Sequence, residues 1–190
     1  MKFSLVAVAA AAGLASAAPQ MGRPGSTPTS YGPPSSYGPP SAQVTCLSTS
    51  AATTLVNGFA GLLTNYKDSD ADKYLSSDFT DTSDSINALA GYPLGSTTFP
   101  SKAAFKAGQG SQPAIGFKVL NIDVVNCTNV AFRWLGTPNL GNTALTVKGI
   151  NSFVASNLNK TEQGWQIKTM YSEFNSCTWM QAIGGKCGFS

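Results

Sequence analysis

Leu75-Ser-Ser-Asp-Phe-Thr-Asp-Thr-Ser-Asp-Ser-Ile-Asn-Ala-Leu-Ala-Gly-Tyr-Pro-Leu94 interleaves acids, short polar residues and a few apolar anchors, and it divides the chain in two. Before it, apolar residues recur at helical spacing; after it, they mostly run or alternate as strands do. Asp78, Asp81 and Asp84 stand three apart. In extended backbone Phe79, Asp81 and Ser83 face one way, and Thr80, Thr82 and Asp84 the other. Here alone do carboxylates crowd apolar side chains.

Upstream, Leu55, Val56, Phe59, Leu62, Leu63 and Tyr66 recur every three or four residues, which predicts one helix over 48–66 with a single buried stripe. Ser48 or Ser50 can cap it. Gly58 and Gly61 each weaken it by about 1 kcal/mol relative to alanine, so a close neighbour is expected there. Asp68, Asp70 and Asp72 open a short second helix, with the acids at the positive end of its dipole. A calcium loop would need a following glycine and a terminal glutamate that this spacing lacks.

Downstream, Tyr92 to Gly95 reads as a turn, and 101–107 as a third helix capped by Ser101 and stopped by Gly108 and Gly110. Four strands follow, over 117–126, 129–135, 143–155 and 164–179, with a tight hairpin at 126–129. Helices first and strands later predict an α+β layout, three helices packed on a strongly curved antiparallel β-sheet.

The chain's beginning has a different character. Met1-Lys2-Phe3, the apolar run 4–14 and Ala15-Ser16-Ala17 have the charged start, short apolar core and small-residue cleavage site of a secretory signal peptide over 1–17. Residues 18–43 contain seven of the eleven prolines and two copies of Ser-Tyr-Gly-Pro-Pro-Ser, at 30–35 and 36–41. Such a segment cannot bury enough apolar surface to order itself, and it reads as a spacer, or as a cell-wall tether through Tyr31 and Tyr37. One domain is expected over 44–190, exported to the extracellular space.

From Cys46 onward nine Lys and one Arg face nine acidic residues, a balance that argues against nucleic acid as partner. No stretch approaches the roughly 20 apolar residues of a membrane span. Cys46, Cys127, Cys177 and Cys187 in an exported chain favour two disulfides. Three pairings are open; the preferred one joins Cys46 to Cys127 and Cys177 to Cys187, because the second pair closes a short glycine-bearing loop. With no histidine and irregular cysteine spacing, no metal site and no cofactor are expected.

The predicted helix over 51–66, Asp78-Phe79-Thr80-Asp81, the helix at 102–107 and Gly164-Trp165-Gln166-Ile167-Lys168 together resemble the nuclear transport factor 2-like superfamily. The wording of 81–87 and of Tyr171-Ser172-Glu173-Phe174-Asn175 is similar to its secreted fungal branch. That resemblance implies a cone whose curved sheet and helices enclose a pocket, and relatives that include ketosteroid isomerase, scytalone dehydratase, polyketide cyclases and members without chemistry. Fold alone does not settle function.

Proton transfer in such a pocket needs a carboxylate or an imidazole with its pKa moved toward the working pH. Without histidine, Asp81, Asp84 and Glu173 are the catalytic candidates, with Asp123 a further base and Tyr66, Tyr74, Tyr92 and Tyr171 as donors. The resemblance puts the 79–83 strand beside the closing strand, bringing Asp81 or Asp84 near Glu173 and Asn175. Asp81 and Asp84 also stand among Thr82, Ser83 and Ser85, a turn composition in which carboxylates bond backbone amides. Structural roles are therefore expected to outweigh catalysis. Tyr66, Tyr92, Trp134, Asn151, Phe153, Tyr171 and Asn175 are the candidate pocket residues, although Trp134, Phe153 and Trp165 also read as core aromatics.

Two sequons complete the inventory. Asn159-Lys160-Thr161 falls on a turn and is the expected glycosylation site; at Asn126-Cys127-Thr128 a disulfide through Cys127 would restrict access. The resulting expectation is a secreted domain that binds a small apolar molecule or an extracellular protein without turnover. The alternatives are an isomerase or cyclase using an aspartate base, and a matrix or cell-wall protein forming a homodimer through the sheet.

Overall fold

The chain divides into two units, residues 1–42 and 43–190. The computed structural model describes residues 43–139, 141 and 144–187, all within the second unit. The expected signal peptide and nearly all of the expected spacer lie outside the described residues.

Helix α1 (Thr49–Thr64) begins where Ser48 accepts the Ala51 amide at 3.0 Å, and it buries Ala51, Ala52, Leu55, Val56, Phe59 and Leu62. Its two glycines differ. A Cβ on Gly58 would lie 2.6 Å from the Tyr74 ring, whereas Gly61 has open space beside it. Close packing therefore explains the first and not the second. Helix α2 (Asp68–Tyr74) follows and leads directly into strand β1 (Leu75–Thr82).

The segment predicted as strand and turn also holds a helix, α3 (Asp84–Ala90). Ser83 caps it by accepting the Ile86 amide, and Gly91 ends it at φ +74°. After strand β2 (Thr97–Phe99) comes α4 (Lys102–Gly110), capped by Ser101. Strands β3 (Gly116–Val125), β4 (Asn129–Thr137), β5 (Val147–Asn157) and β6 (Trp165–Phe174) follow, and helix α5 (Ser176–Ala182) closes the described fold.

The fold is α+β, with two departures from the expected layout. There are five α-helices among the described residues where three were expected, because α3 follows β1 and because the expected last strand stops at Phe174, where Asn175 accepts the Thr178 amide and starts α5. The sheet is mixed: its order is β2-β1-β6-β5-β4-β3, and β1 runs parallel to β6 while the other pairs are antiparallel. A parallel neighbour requires a long crossover, and everything from α3 to β5 supplies it.

One sheet face is buried beneath the helices. It carries Phe79, Phe132, Phe153, Ile167 and Met170, which meet Leu55, Phe59, Leu62 and Phe105. The other face exposes Leu120, Val124, Ile150 and Tyr171. The cysteines pair as preferred, Cys46 with Cys127 and Cys177 with Cys187. Two disulfides suggest maturation in an oxidising compartment. Among the described residues no helix is long and apolar enough to cross a membrane.

Candidate functional site on the buried sheet face

Strand β1 places Asp81 on the buried face with Phe79, as its alternation requires. Register sets it opposite Met170, which faces Phe153, which faces Val130, so one row crosses four strands. Its three apolar members are fully buried and Asp81 is 2% exposed. Asp81 Oδ1 has no hydrogen-bond partner. Burial pushes its carboxyl up to about 7, against the pull of the Thr82 backbone N–H and with a push from the Glu173 charge.

The next buried row holds Ser172, Asn151 and Phe132. Asn151 Oδ1 accepts the Trp134 indole N–H at 2.7 Å, and its Nδ2 points at the Met170 sulfur at 3.6 Å. Trp134 lies flat because Gly136 and Gly149 leave room beneath it. A Cβ on Gly149 would sit 2.2 Å from the indole and 2.9 Å from the Glu173 carbonyl oxygen. Phe117 stacks on Trp134 at 4.8 Å, Phe174 lies 5.8 Å away, and Trp179 of α5 packs on Phe174 at 4.8 Å. Together these side chains form a mainly apolar wall carrying one unpaired carboxyl and a carboxamide already engaged by Trp134.

The other acid candidates are spent elsewhere. Glu173 accepts the Asp84 amide at 2.8 Å, the Ser85 amide at 3.1 Å and the Ser85 hydroxyl, and so caps α3. Asp84 accepts the Gly95 amide at 2.6 Å. Glu173 thus meets Asp84 through the backbone, as a cap. Asp123 is held by Arg133 on the exposed face, at 2.8 Å.

Of the seven pocket candidates, the buried face receives Trp134, Asn151 and Phe153. Tyr171 is 51% exposed because it alternates with Met170 and Ser172. Tyr92 is exposed in the turn after α3, and Asn175 caps α5. Tyr66 bonds Asp68 at 2.6 Å between α1 and α2. Burial, then the Asp68 bond, hold its phenol above the usual range. Sequence reasoning missed Ser172, Phe117, Phe174 and Trp179. The alternation Met170, Ser172, Phe174 signals the first and third; Trp179 was hidden by its assignment to a strand.

This architecture has relatives. TsrD from Streptomyces laurentii aligns at 12% identity with a TM-score of 0.50, over 73% of this chain and 98% of that one. Wild-type IdmH from Streptomyces antibioticus, described as a candidate polyketide cyclase, aligns at 12% identity with a TM-score of 0.51, over 70% and 97% of the two chains. At these identities the likeness is one of fold. No curated protein matches the chain. A family model described as an NTF2-like domain matches residues 45–186. The chain belongs to the NTF2-like domain family.

Proposed function

We propose that this NTF2-like domain is exported and binds a small, mainly apolar molecule against the buried sheet face, through the Asp81 carboxyl and without turnover. The observation that supports this is the unpaired Asp81 Oδ1, buried in a row of apolar side chains. A buried polar atom left unsatisfied costs about 1–3 kcal/mol, a cost that a ligand able to pair with the carboxyl would offset. The aromatic wall around Trp134 supplies apolar contact, and Asn151, committed to Trp134, adds shape more than hydrogen bonding. The reading without turnover is supported by the fate of the other acids: Glu173 and Asp84 are engaged by backbone amides, and no histidine exists to share a proton with Asp81. Export rests on residues 1–17 and the two disulfides.

Native mass spectrometry of the protein purified from culture medium tests the binding role. The expected result is extra mass that leaves on denaturation and is lost in Asp81→Leu. A wild-type mass identical in both states, at several pH values, would sink it. A second reading, proton transfer by Asp81, draws on its pKa near 7. It requires turnover of the released molecule with an inflection near that pH, abolished in Asp81→Asn.

A further inference from the structure

We propose that Asn159 carries an N-linked glycan, that Asn126 does not, and that the glycan covers Leu158. The proposal rests on the export reading, because the sugar donor is met only in the secretory route. Asn159, Lys160 and Thr161 are all exposed in the turn between β5 and β6. Neither the Asn159 carboxamide nor the Thr161 hydroxyl is engaged in a hydrogen bond, so both acceptor groups of the sequon are available. The turn is nevertheless shaped. Lys160 sits at φ +52°, its carbonyl accepts the Val44 amide at 3.0 Å, and Asn157 Nδ2 donates to the Thr161 carbonyl at 2.7 Å.

Asn126 is exposed as well, but its sequon is engaged. Its Oδ1 accepts the amides of Thr128 at 3.2 Å and Asn129 at 2.8 Å, and the Thr128 hydroxyl accepts from Asn129 Nδ2 at 3.3 Å. Between them Cys127 is bonded to Cys46, and its carbonyl accepts the Leu47 amide. The disulfide and the hairpin turn compete with a transferase for this sequon.

Leu158 is the apolar neighbour of the Asn159 sequon. It is 83% exposed, more than any other large apolar side chain described, and it precedes Asn159 directly. In this proposal the first sugars on Asn159 lie over it and remove it from water. In the transfer itself, Asn159 Nδ2 bonds to the anomeric carbon of an oligosaccharide carried on a polyprenyl diphosphate. The anomeric C–O bond breaks, the diphosphate leaves with the electron pair, and Nδ2 gives up one proton.

The test begins with full-length chain secreted from a eukaryotic host. Enzymatic deglycosylation in heavy-oxygen water, followed by peptide mass spectrometry, is expected to leave a labelled aspartate at 159 and unlabelled Asn126. Asn159→Gln and Thr161→Val each lose one glycan mass, while Asn126→Gln loses none. The second variant keeps both backbone bonds of the turn, so a folding failure of the first does not blunt the test. Asn159→Gln is expected to bind more of an apolar dye, and adding Leu158→Ser to return it to the wild-type level. Exported protein that is unmodified at Asn159, or labelled at Asn126, overturns the site assignment and leaves the export reading standing. Equal dye binding overturns the covering of Leu158. A chain retained in the cell with residues 1–17 attached overturns export and glycan together.

Discussion

Two neighbouring polar regions, the carboxyl of Asp81 and the knot at residues 83–98, are buried alike and end differently. In the knot each buried group has a partner. Thr98 Oγ1 accepts the Ser83 amide at 2.9 Å and donates to Asn87 Oδ1 at 2.9 Å; Asn87 Nδ2 donates to the Ser96 carbonyl at 2.8 Å. Two residues before Ser83, Asp81 is equally buried and its Oδ1 has none. The contrast separates polar groups that build the fold from one that the fold leaves unpaired. Satisfied buried groups specify structure, and an orphan costs stability unless something outside the chain completes it.

The largest effect expected from breaking this contrast is a pH dependence. Asp81 titrates near 3.8 in the unfolded chain and near 7 in the fold. Between those values the folded state holds a proton that the unfolded state has lost, so stability falls as pH rises. The contribution is fully present below pH 3.8 and gone above 7, and it amounts to roughly 4 kcal/mol. Asp72 is held below the ordinary range by the hydrogen bond from Lys106, Asp78 by Ser76 and Lys168, and Asp123 by Arg133. Those exposed acids lose their contributions as pH falls below this window. Urea unfolding from pH 4 to 8 should therefore show declining stability in the wild type and a nearly flat profile in Asp81→Asn. Parallel profiles would mean that Asp81 is solvated or paired in solution.

Next in size is the knot. Thr98→Val keeps the shape of the side chain but strands the Ser83 amide and Asn87 Oδ1, at a cost of about 1–3 kcal/mol for each buried group left unpaired. Asn87→Ala should cost a similar amount. Neither should alter the slope with pH, since neither ionises. Chemical denaturation at two pH values checks both statements, and a loss that varied with pH would tie the knot to Asp81.

Much of this was legible in the sequence, for physical reasons that differ by element. Helix α1, with seven buried positions at helical spacing, and the hairpin at 126–129 declare themselves locally. Of the three open pairings, the short glycine-bearing loop between Cys177 and Cys187 favoured the one the structure holds. Helix α3 did not declare itself, because Ser83, Ser85 and Asn87 suit turns as well as helices until Gly91 and the Glu173 cap decide between them. The resemblance already implied that the 79–83 strand lies beside the closing strand, but nothing local records that β1 and β6, about ninety residues apart, pair in parallel. Asp81 was visible as one of three acids, but nothing local distinguished it from Asp84. Burial did that, through the register that sets it opposite Met170.

The smallest effect is the one that couples the two regions. Glu173 belongs to the knot side, where it caps α3, yet its charge is one of the causes that raise Asp81, after burial. Glu173→Gln removes the charge and leaves one carbonyl oxygen where two carboxylate oxygens accepted, Oε1 from the Asp84 amide and Oε2 from the Ser85 amide and hydroxyl, so one of the two sides loses its acceptor. Stability should fall by about 1 kcal/mol, from the lost charge near a helix start together with one solvent-accessible amide left without its acceptor. The Asp81 midpoint, followed by the carbon-13 shift of its carboxyl, should move down toward the ordinary aspartate value but remain above it, because burial is untouched. If the midpoint stays where it was, burial alone sets it and the cap and the orphan are electrically independent. If it collapses to the ordinary value, water has reached Asp81, and the buried carboxyl depends on α3 being anchored to β6.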